Sequence, residues 1–551
     1  MKSVLWYIVF LLSVISQDLY SQIPRGGKPF PYYNLKSAQN KIFLPEFDLN
    51  QAIAESLSEN AIEGKKPFPF AWNYSLDLTP ANSGTWSEMP DGSTIWRIHL
   101  VSSGAFGVNV DFSKFQLNPG CMVFIYPPSQ EYFFGGFNSG NNNKSANLPV
   151  SFVKGEEIVV ELQVQKDIDF GVLNIGSLAH AYIDIFSSLD TKLGPSGNCN
   201  VDINCPDGED WQIIKKAICR ITIKSGLNSV YCTGTLINNV KQDTVPYLLT
   251  ANHCINSNTK ANSALFLFDY EADTCDKTSE TGSFSLAGSD LLATSDSLDF
   301  TLLRLYDSIP SIYKPYFAGW SLSQTPASSA VTIHHPEGDL KKISIDNGPV
   351  TAEYQDPIPD NLKWLYTESV PKAFWRVTKW ESGTTEGGSS GAPLFNQNKM
   401  IVGNLTGGQA NCTNPINDYF SKFHMCWDYY SMPSKQLKYW LNPEDSLITS
   451  LQGFNPYSSD TLIIDPVEFA DRYTLFPNPT NGLFTFETDS LDISGGLLSI
   501  YSLTGKKIFQ YEISGEKRII ADVSFLEQGL YIVEFSKGFE KVRKRLLITN
   551  P

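Results

Sequence analysis

Short runs in which apolar and polar residues alternate recur along the chain, and Gly, Pro, Asn and Ser separate them. Between Trp72 and about Asp190 the runs include STIWRIHLVS, FGVNVDF and EIVVELQV, and the breaks include NPG and NSGNNNKS. Alternation with a period of two indicates strands with one buried face. Because the runs are short and closely spaced, they predict a β-sandwich in this part of the chain.

A second series of short apolar runs follows the segment Thr191–Cys205, which is rich in Gly, Pro, Ser and Asn. Runs such as AICRITIKS, PYLLTANHC and DFTLLRL continue to about Gly453, and a helical pattern appears only at Ser434–Leu441. Many short strands with few helices predict an all-β barrel or a double barrel. After a linker at 455–472, the pattern from Tyr473 onward predicts another small β unit.

The first 22 residues have the pattern of a secretory signal peptide. Lys2 supplies the positive charge, Val4–Ile15 the apolar segment, and Ser21 a small residue near a cleavage point. A membrane anchor is the alternative, but the apolar segment is short for a span. The sequence therefore predicts an exported protein, in a compartment where disulfides form.

Residues 23–192 are predicted to be a pro-region with a β-rich domain. It either assists folding or blocks a site in the domain that follows, and a carbohydrate- or matrix-binding module is the alternative.

The 551 residues carry a formal net charge of −16. Proteins that bind nucleic acids normally present a basic patch, so we expect no nucleic-acid partner.

The segment Thr384–Phe395, TTEGGSSGAPLF, places Ser390 among small residues. Glycines permit a tight turn that exposes a hydroxyl and directs backbone N–H groups towards a developing oxyanion. His253 follows the apolar run PYLLTA, and Asp299 begins the apolar strand DFTLLRL. A carboxylate at the start of such a strand needs a partner, and beside an imidazole N–H it would hold the ring in one tautomer.

With the chain order His253, Asp299, Ser390, the sequence resembles the lysyl endopeptidases, a bacterial branch of the chymotrypsin-like serine proteases. The resemblance spans about Gly194–Gln452 and is carried by CTGTLINN, YLLTANHC, DFTLL, FAGW, IHHP and TEGGSSGAP. It implies Ser390 as nucleophile, His253 as general base and then acid, and Asp299 as the residue that orients His253. The backbone N–H groups of Gly388 and Ser390 would form the oxyanion hole.

The resemblance also implies where a substrate binds. The sequence NDY, which contains Asp418, matches the DQY segment of the family, so this carboxylate would lie at the bottom of the primary pocket and pair with a substrate cation. The strand Thr406-Gly407-Gly408 would pair with the substrate backbone. Thr406 stands where the best-known members carry histidine. We therefore expect cleavage after Lys and Arg, with Lys preferred.

By the same resemblance, six of the nine cysteines pair as Cys199–Cys412, Cys205–Cys275 and Cys232–Cys254. Our own hypothesis is a fourth bridge between Cys219 and Cys426, which leaves Cys121 alone in the pro-region. No HExxH or CxxC motif occurs, and adjacent side chains such as His334 and His335 point to opposite faces of a strand. We expect no metal or other cofactor.

Residues 473–551 resemble the C-terminal sorting domain of type IX secretion, with LFPNPTNG, IYSLTGKKI, LEQGLYIVEF and the basic ending KVRKRLLI. A generic β-sandwich adhesion module is the alternative. The resemblance implies that the type IX machinery is a partner and carries the protein across the outer membrane of a Gram-negative bacterium. The protein would then be released or stay on the outer-membrane surface.

The predicted architecture is therefore mostly β: a β-rich pro-domain, a chymotrypsin-like double β-barrel at 193–454 and a small β-sandwich sorting domain. Lys192 directly precedes LGPSGNC at the first boundary, and cleavage after it by the enzyme itself would suit a Lys-specific site. Two functions remain open. One is a secreted, monomeric serine endopeptidase that acts on proteins and peptides after basic residues. The other is a catalytically inactive protease-fold adhesin or binding module displayed on the cell surface.

Overall fold

The structure of the chain is a computed structural model. It describes residues 26–31, 41–52, 54, 67–186, 196–275, 283–351, 370, 372–457, 473–488, 496–502, 507–513, 518–537 and 540–549. The signal peptide predicted at 1–22 and the predicted cleavage point at Lys192 lie outside the described residues. Strands dominate the rest, so the predicted mostly-β class is confirmed. Within the described residues, no helix is long and apolar enough to cross a membrane. The chain divides into two compact units, residues 1–457 and 458–551.

The first strands of unit 1 form the sandwich region. They are β1 (Lys41–Phe43), β2 (Phe68–Leu78), β3 (Thr85–Glu88), β4 (Thr94–Val101), β5 (Gly107–Leu117), β6 (Cys121–Tyr126), β7 (Phe134–Phe137), β8 (Leu148–Pro149), β9 (Val153–Lys154), β10 (Glu157–Val164) and β11 (Gly171–Ala181). One sheet has the order β1-β4-β10-β6-β7, with β3 beside β4, and the other has β11 between β2 and β5. Alternate apolar residues of both sheets, such as Leu100, Val110, Val160 and Leu178, are buried in one core.

The next strands, apart from the first of them, build a first barrel-like sheet. They are β12 (Val201–Asp202), β13 (Ile218–Ser225), β14 (Asn228–Leu236), β15 (Tyr247–Thr250), β16 (Leu265–Phe268), β17 (Phe284–Ala287), β18 (Ser289–Ser295) and β19 (Phe300–Leu305), with helix α1 (Asn258–Asn262) after β15. The hydrogen-bonded order is β17-β16-β13-β14-β15-β19-β18, while β12 joins the following sheet.

The second barrel-like sheet follows in the chain. It contains β20 (Trp320–Ser321), β21 (Ala330–His334), β22 (Lys342–Asp346), β23 (Phe374–Lys379), β24 (Pro393–Asn396), β25 (Ile401–Gly408), β26 (Ile416–Lys422) and β27 (Ser450–Leu451), with helices α2 (Phe423–Asp428) and α3 (Lys438–Leu441). Its order is β12-β22-β21-β24-β25-β26-β23, and β20 pairs with β25 and β27. Ile221, Leu302, Ile343 and Ile401 share one core, so the two sheets pack together.

Short 3-10 turns connect several of these strands. They lie at Ser139–Asn141, Pro206–Trp211, Ile214–Ala217, Ser311–Tyr313, Pro336–Gly338 and Pro433–Lys435. The helical pattern at Ser434–Leu441 forms such a turn followed by the single turn of α3, rather than one continuous helix. Residues 196–457 are called the two-barrel region below.

One sheet runs continuously from the sandwich region into the two-barrel region. Strand β2 pairs antiparallel with β14, with Asn228 opposite Trp72 and Tyr231 opposite Phe68. The ring of Phe70 stacks on that of Tyr231 with centroids 3.8 Å apart. The sequence predicted a boundary after residue 192 but not this pairing. The pro-region proposed there therefore shares backbone hydrogen bonds with the first barrel.

Three disulfides join distant parts of the two-barrel region: Cys199–Cys412, Cys205–Cys275 and Cys232–Cys254. The hypothesis of a Cys219–Cys426 bridge is wrong, because both side chains are free thiols. Cys219 is the second residue of β13, and Cys426 lies on α2. Burial raises the pKa of both thiols, which disfavours the thiolate that disulfide formation requires. Cys121, on β6, is the third buried free cysteine.

Unit 2 is a small two-sheet β unit, as its alternating pattern predicts. Its strands are β28 (Tyr473–Phe476), β29 (Leu483–Thr488), β30 (Leu497–Ser502), β31 (Lys507–Glu512), β32 (Arg518–Asp522), β33 (Gly529–Lys537) and β34 (Glu540–Ile548). The sheets have the orders β28-β29-β32 and β31-β30-β33-β34. Phe486, Ile500 and Phe535 are among the residues of both sheets that are buried between them.

Candidate active site

His253 and Asp299 meet because the strands next to them pair. His253 follows β15, Asp299 precedes β19, and these strands run antiparallel with Thr250 opposite Thr301. Asp299 Oδ2 lies 2.9 Å from His253 Nδ1, and its Oδ1 accepts the backbone N–H of His253 at 3.0 Å. Both side chains are almost fully buried. The carboxylate therefore fixes the ring through two contacts, which leaves Nε2 as the free end of the imidazole.

Ser390 lies in the turn before β24 and packs against the first barrel. Its carbonyl accepts the N–H of Thr233 at 2.8 Å, and Cys254 Sγ lies 3.8 Å from the same oxygen. A Cβ on the next residue, Gly391, would clash with Thr250 Oγ1, so only glycine permits this approach. Among the described residues, Ser390 Oγ and His253 Nε2 are both buried without a hydrogen-bond partner. A hydroxyl and an imidazole nitrogen thus stand unpaired in neighbouring segments.

The turn before Ser390 has its peptide planes oriented by named hydrogen bonds. The carbonyl of Gly387 accepts from Glu337 N, and that of Ser389 accepts from Ala392 N at 3.0 Å. In a trans peptide the N–H points opposite to the C=O, so the N–H groups of Gly388 and Ser390 face away from these donors. The described residues provide no backbone acceptor for either N–H. The turn therefore presents two backbone donors of the kind that an oxyanion requires.

Gly388 allows this turn for a steric reason. Its φ is +88°, in the left-handed region, and a Cβ would lie 2.7 Å from the carbonyl oxygen of His335. Its own carbonyl accepts a hydrogen bond from Thr233 Oγ1 at 3.0 Å, and that hydroxyl oxygen also accepts the N–H of His335 at 3.1 Å. Thr233, on β14, thus ties the turn to both barrels. Thr233 lies in the motif CTGTLINN, but the motif alone assigns it no role, since its role depends on long-range packing.

Asp418 is buried on β26, opposite Gly408 of β25. Its Oδ2 accepts hydrogen bonds from Trp380 Nε1 at 2.8 Å and from Thr385 Oγ1. Thr385 lies five residues before Ser390 in the same segment, so the carboxylate is fixed between that segment and the strand Thr406–Gly408. The sequence identified Asp418 but neither of its two donors.

Thr406 is buried and does not replace the family histidine in its chemistry. Its Oγ1 lies 3.2 Å from Ser421 Oγ. Ser421 Oγ in turn donates to the carbonyl of Leu298 at 2.6 Å. The Thr406 hydroxyl therefore forms part of a buried hydrogen-bond group beside Asp299, and a threonine at this position offers no aromatic ring to a substrate.

Two acidic residues flank the turn on its other side. Glu386 accepts hydrogen bonds from Gly197 N at 2.9 Å and Asn200 Nδ2 at 2.8 Å. Burial, with the carboxylates of Glu386 and Asp339 adding to it, raises the pKa of Glu337 to about 7. The charge near Gly387 therefore changes in the neutral pH range.

Two stretches of the chain match known protein families. Residues 193–421 match the family model described as the lysyl endopeptidase C-terminal domain. Residues 474–549 match the secretion system C-terminal sorting domain. Both resemblances seen in the sequence are confirmed.

Curated relatives include a protein of the same description as the first match. A lysyl endopeptidase of Pseudomonas aeruginosa is 26% identical over 375 residues, which are 63% of this chain and 76% of that protein. A secreted RxLR effector protein of Plasmopara viticola is 27% identical over 222 residues, 38% of this chain and 49% of that protein. The lysyl endopeptidase-like relationship therefore extends beyond the two-barrel region alone.

Solved structures of serine proteases are also similar. The active form of the Rv3671c protease of M. tuberculosis is 15% identical with a TM-score of 0.28, covering 40% of this chain and 83% of that chain. A thermostable serine protease, AL20, from an extremophilic microorganism is 15% identical with a TM-score of 0.27, covering 38% of this chain and 91% of that chain. Likeness at this level carries no argument about substrate.

Proposed function

We propose that the protein is a secreted serine endopeptidase that hydrolyses peptide bonds after basic residues, with Lys preferred over Arg. The observation that carries the proposal is the pair of buried, unpartnered atoms Ser390 Oγ and His253 Nε2, with His253 held by Asp299 from the other side of its ring. An unpaired buried polar atom costs free energy, and active sites are a common place for such atoms.

The proposed reaction follows the direction of these contacts. Ser390 Oγ attacks the scissile carbonyl while His253 Nε2 takes its proton, and Asp299 stabilises the resulting imidazolium. The N–H groups of Gly388 and Ser390 donate hydrogen bonds to the oxyanion of the tetrahedral intermediate. His253 then protonates the leaving amine, and a water molecule, deprotonated by the same nitrogen, hydrolyses the acyl-enzyme.

Asp418 is proposed to select the side chain before the scissile bond. Its carboxylate is buried, and a cation that binds beside it would regain there the interactions that it loses with water. Trp380 and Thr385 both donate to its Oδ2, which holds the carboxylate in place. Thr406 provides no ring to narrow the pocket, which supports acceptance of arginine as well as lysine.

The sandwich region is proposed to be the pro-region of a zymogen, residues 23–192, and residues 193–454 the protease. A Cβ built on Gly387 would lie 3.2 Å from Cδ2 of Phe68, so the Phe68 ring covers the turn three residues before Ser390. Strand β2, which Phe68 begins, is bound to β14 next to Thr233. Removal of the pro-region, by self-cleavage after Lys192, would uncover this side of the site.

We propose that the protein is exported, because unit 2 matches a secretion sorting domain. The type IX secretion machinery would recognise this unit and carry the protein to the medium or to the outer-membrane surface. Three disulfides in the two-barrel region suit such an oxidising location. The mature protease is proposed to act as a monomer on protein and peptide substrates.

Processing can be tested by N-terminal sequencing of the secreted protein. Wild type and Ser390→Ala are expressed in a host with the type IX machinery, and the mature N-termini are compared. Self-cleavage predicts a terminus after Lys192 in the wild type and an unprocessed Ser390→Ala protein. Identical termini in the two proteins would assign the cleavage to another protease.

A further inference from the structure

His334 ends strand β21 and is fully buried behind the turn that carries Ser390. Its Nδ1 lies 2.8 Å from Ser389 Oγ, and its Nε2 lies 3.0 Å from Ser344 Oγ on β22. The side chain thus stands between the second barrel and the residue directly before Ser390. The mechanism described above does not use it.

The direction of each hydrogen bond follows from the groups at the two ends. Ser344 Oγ lies 2.8 Å from the carbonyl oxygen of Thr384, which can only accept, so the Ser344 hydroxyl donates there. Its lone pair then accepts the N–H at Nε2 of His334. Nδ1 carries no proton in this tautomer and accepts the hydroxyl of Ser389.

The hydrogen bonds at Ser389 are consistent with this assignment of the His334 proton. Ser389 Oγ also lies 3.2 Å from the backbone N of Glu386, which can only donate. The Ser389 oxygen accepts that N–H, so its own hydrogen is available for His334. The arrangement that satisfies every member is a single chain in which Ser389 donates to a neutral His334, His334 to Ser344, and Ser344 to Thr384.

This series of hydrogen bonds holds both ends of the segment 384–389. Thr384 precedes Thr385, which donates to the pocket carboxylate of Asp418. Ser389 precedes Ser390 and follows Gly388, the two residues whose N–H groups face the proposed oxyanion position. One imidazole therefore connects the floor of the pocket to the turn of the nucleophile, and both are rigid only if the segment between them is fixed.

We propose that neutral His334, protonated at Nε2, is a positioning residue that fixes the segment 384–389 and with it the oxyanion donors. The inference rests on the proposed serine protease activity. His334 touches no substrate atom and exchanges no proton in the reaction. Its neighbour His335 is directed elsewhere, because its Nδ1–H donates to the carbonyl oxygen of Asp339, 2.9 Å away.

The kinetic test compares His334→Leu, His334→Gln and Ser389→Ala in the processed enzyme. Glutamine can accept from Ser389 through its carbonyl and donate to Ser344 through its amide, whereas leucine can do neither. We expect kcat on a lysyl amide substrate to fall about 10²-fold in His334→Leu, as for the loss of an oxyanion donor, and to stay within about tenfold of wild type in His334→Gln. The kcat of Ser389→Ala should fall about as far as that of His334→Leu.

Equal kcat in His334→Leu and wild type, at matched melting temperature, would overturn the inference. If His334→Leu does not fold, the comparison of Ser389→Ala with wild type decides in the same way. An inactive wild type would instead remove the proposed protease function.

A spectroscopic measurement is independent of activity. The ¹⁵N signals of the His334 ring in the folded Ser390→Ala protein, assigned by their loss in His334→Gln, report which nitrogen carries the proton. The chain of hydrogen bonds predicts protonation at Nε2 alone. A ring protonated at Nδ1, or at both nitrogens at neutral pH, contradicts it.

Discussion

Phe68 of the sandwich region pairs with Tyr231 of the first barrel, and its ring covers Gly387 beside Ser390. The pairing is antiparallel, as a bound peptide would add to the edge of a sheet. In the intact chain the edge of β14 is therefore occupied by the chain itself. A substrate that pairs with this edge of β14 would first have to displace β2.

The first prediction concerns this contact in the unprocessed protein. With Lys192→Gln present to block self-cleavage, Phe68→Ala should raise the rate of hydrolysis of a small lysyl amide several-fold, because the ring no longer covers the turn. Val172→Ala, at an exposed position of β11, serves as the matched control. If Phe68→Ala and Val172→Ala give the same rate, β2 does not restrict the site.

The second prediction concerns Asp418. Asp418→Asn keeps the shape of the side chain but removes the charge that a bound cation meets. Leaving a buried cation without its partner costs about 3 kcal/mol or more, so kcat/KM for lysyl and arginyl substrates should fall at least about 10²-fold. A phenylalanyl substrate should change far less. An equal loss on all three substrates would show that Asp418 supports the fold and not the choice of substrate.

The third prediction concerns the pH dependence of stability. The pKa of Glu337 is raised from its ordinary value of 4.5 to about 7, first by burial and then by Glu386 and Asp339. Since the folded pKa exceeds the unfolded one, this group stabilises the fold fully below pH 4.5, and that contribution is lost as the pH rises through 7.

Thermal unfolding of the inactive Ser390→Ala protein checks this third prediction. Its melting temperature should decline between pH 4.5 and 7.5, and Glu337→Gln should decline less because the amide does not ionise. Glu131→Gln, on the surface of the sandwich region, is the control. Parallel curves for Glu337→Gln and its parent would contradict the assignment.

The fourth prediction concerns the cysteines. Three disulfides and three buried thiols account for all nine cysteines of the chain. Alkylation of the denatured, unreduced protein should therefore add three labels, at Cys121, Cys219 and Cys426. A single label, at Cys121, would restore the fourth bridge that the sequence suggested.

Local signals in the sequence were sufficient for the strands and for the main candidates. Alternating runs give one-faced burial, and a carboxylate at the head of an apolar strand needs a partner, which is why Asp299 could be placed next to His253. The turn of small residues only made Ser390 a candidate, and the roles of Ser390 and Gly388 came from the resemblance to the lysyl endopeptidases.

Contacts that depend on long-range register were not predictable. Phe68 lies in the stretch KPFPF, which looks like an extended segment, and no local pattern shows that it pairs with Tyr231. The donors to Asp418, Trp380 and Thr385, lie more than 30 residues before it in the chain. The Cys219–Cys426 hypothesis failed because spacing along the chain does not tell whether two cysteine side chains approach each other.

The measurement that tests the central claim most directly is hydrolysis of matched Lys-, Arg- and Phe-amide substrates by the processed protein, with Ser390→Ala beside it. The account predicts hydrolysis of the lysyl and arginyl substrates, faster for lysyl, and none by Ser390→Ala. No hydrolysis of any substrate by the processed wild type would contradict it and leave the inactive protease-fold binding module as the better description.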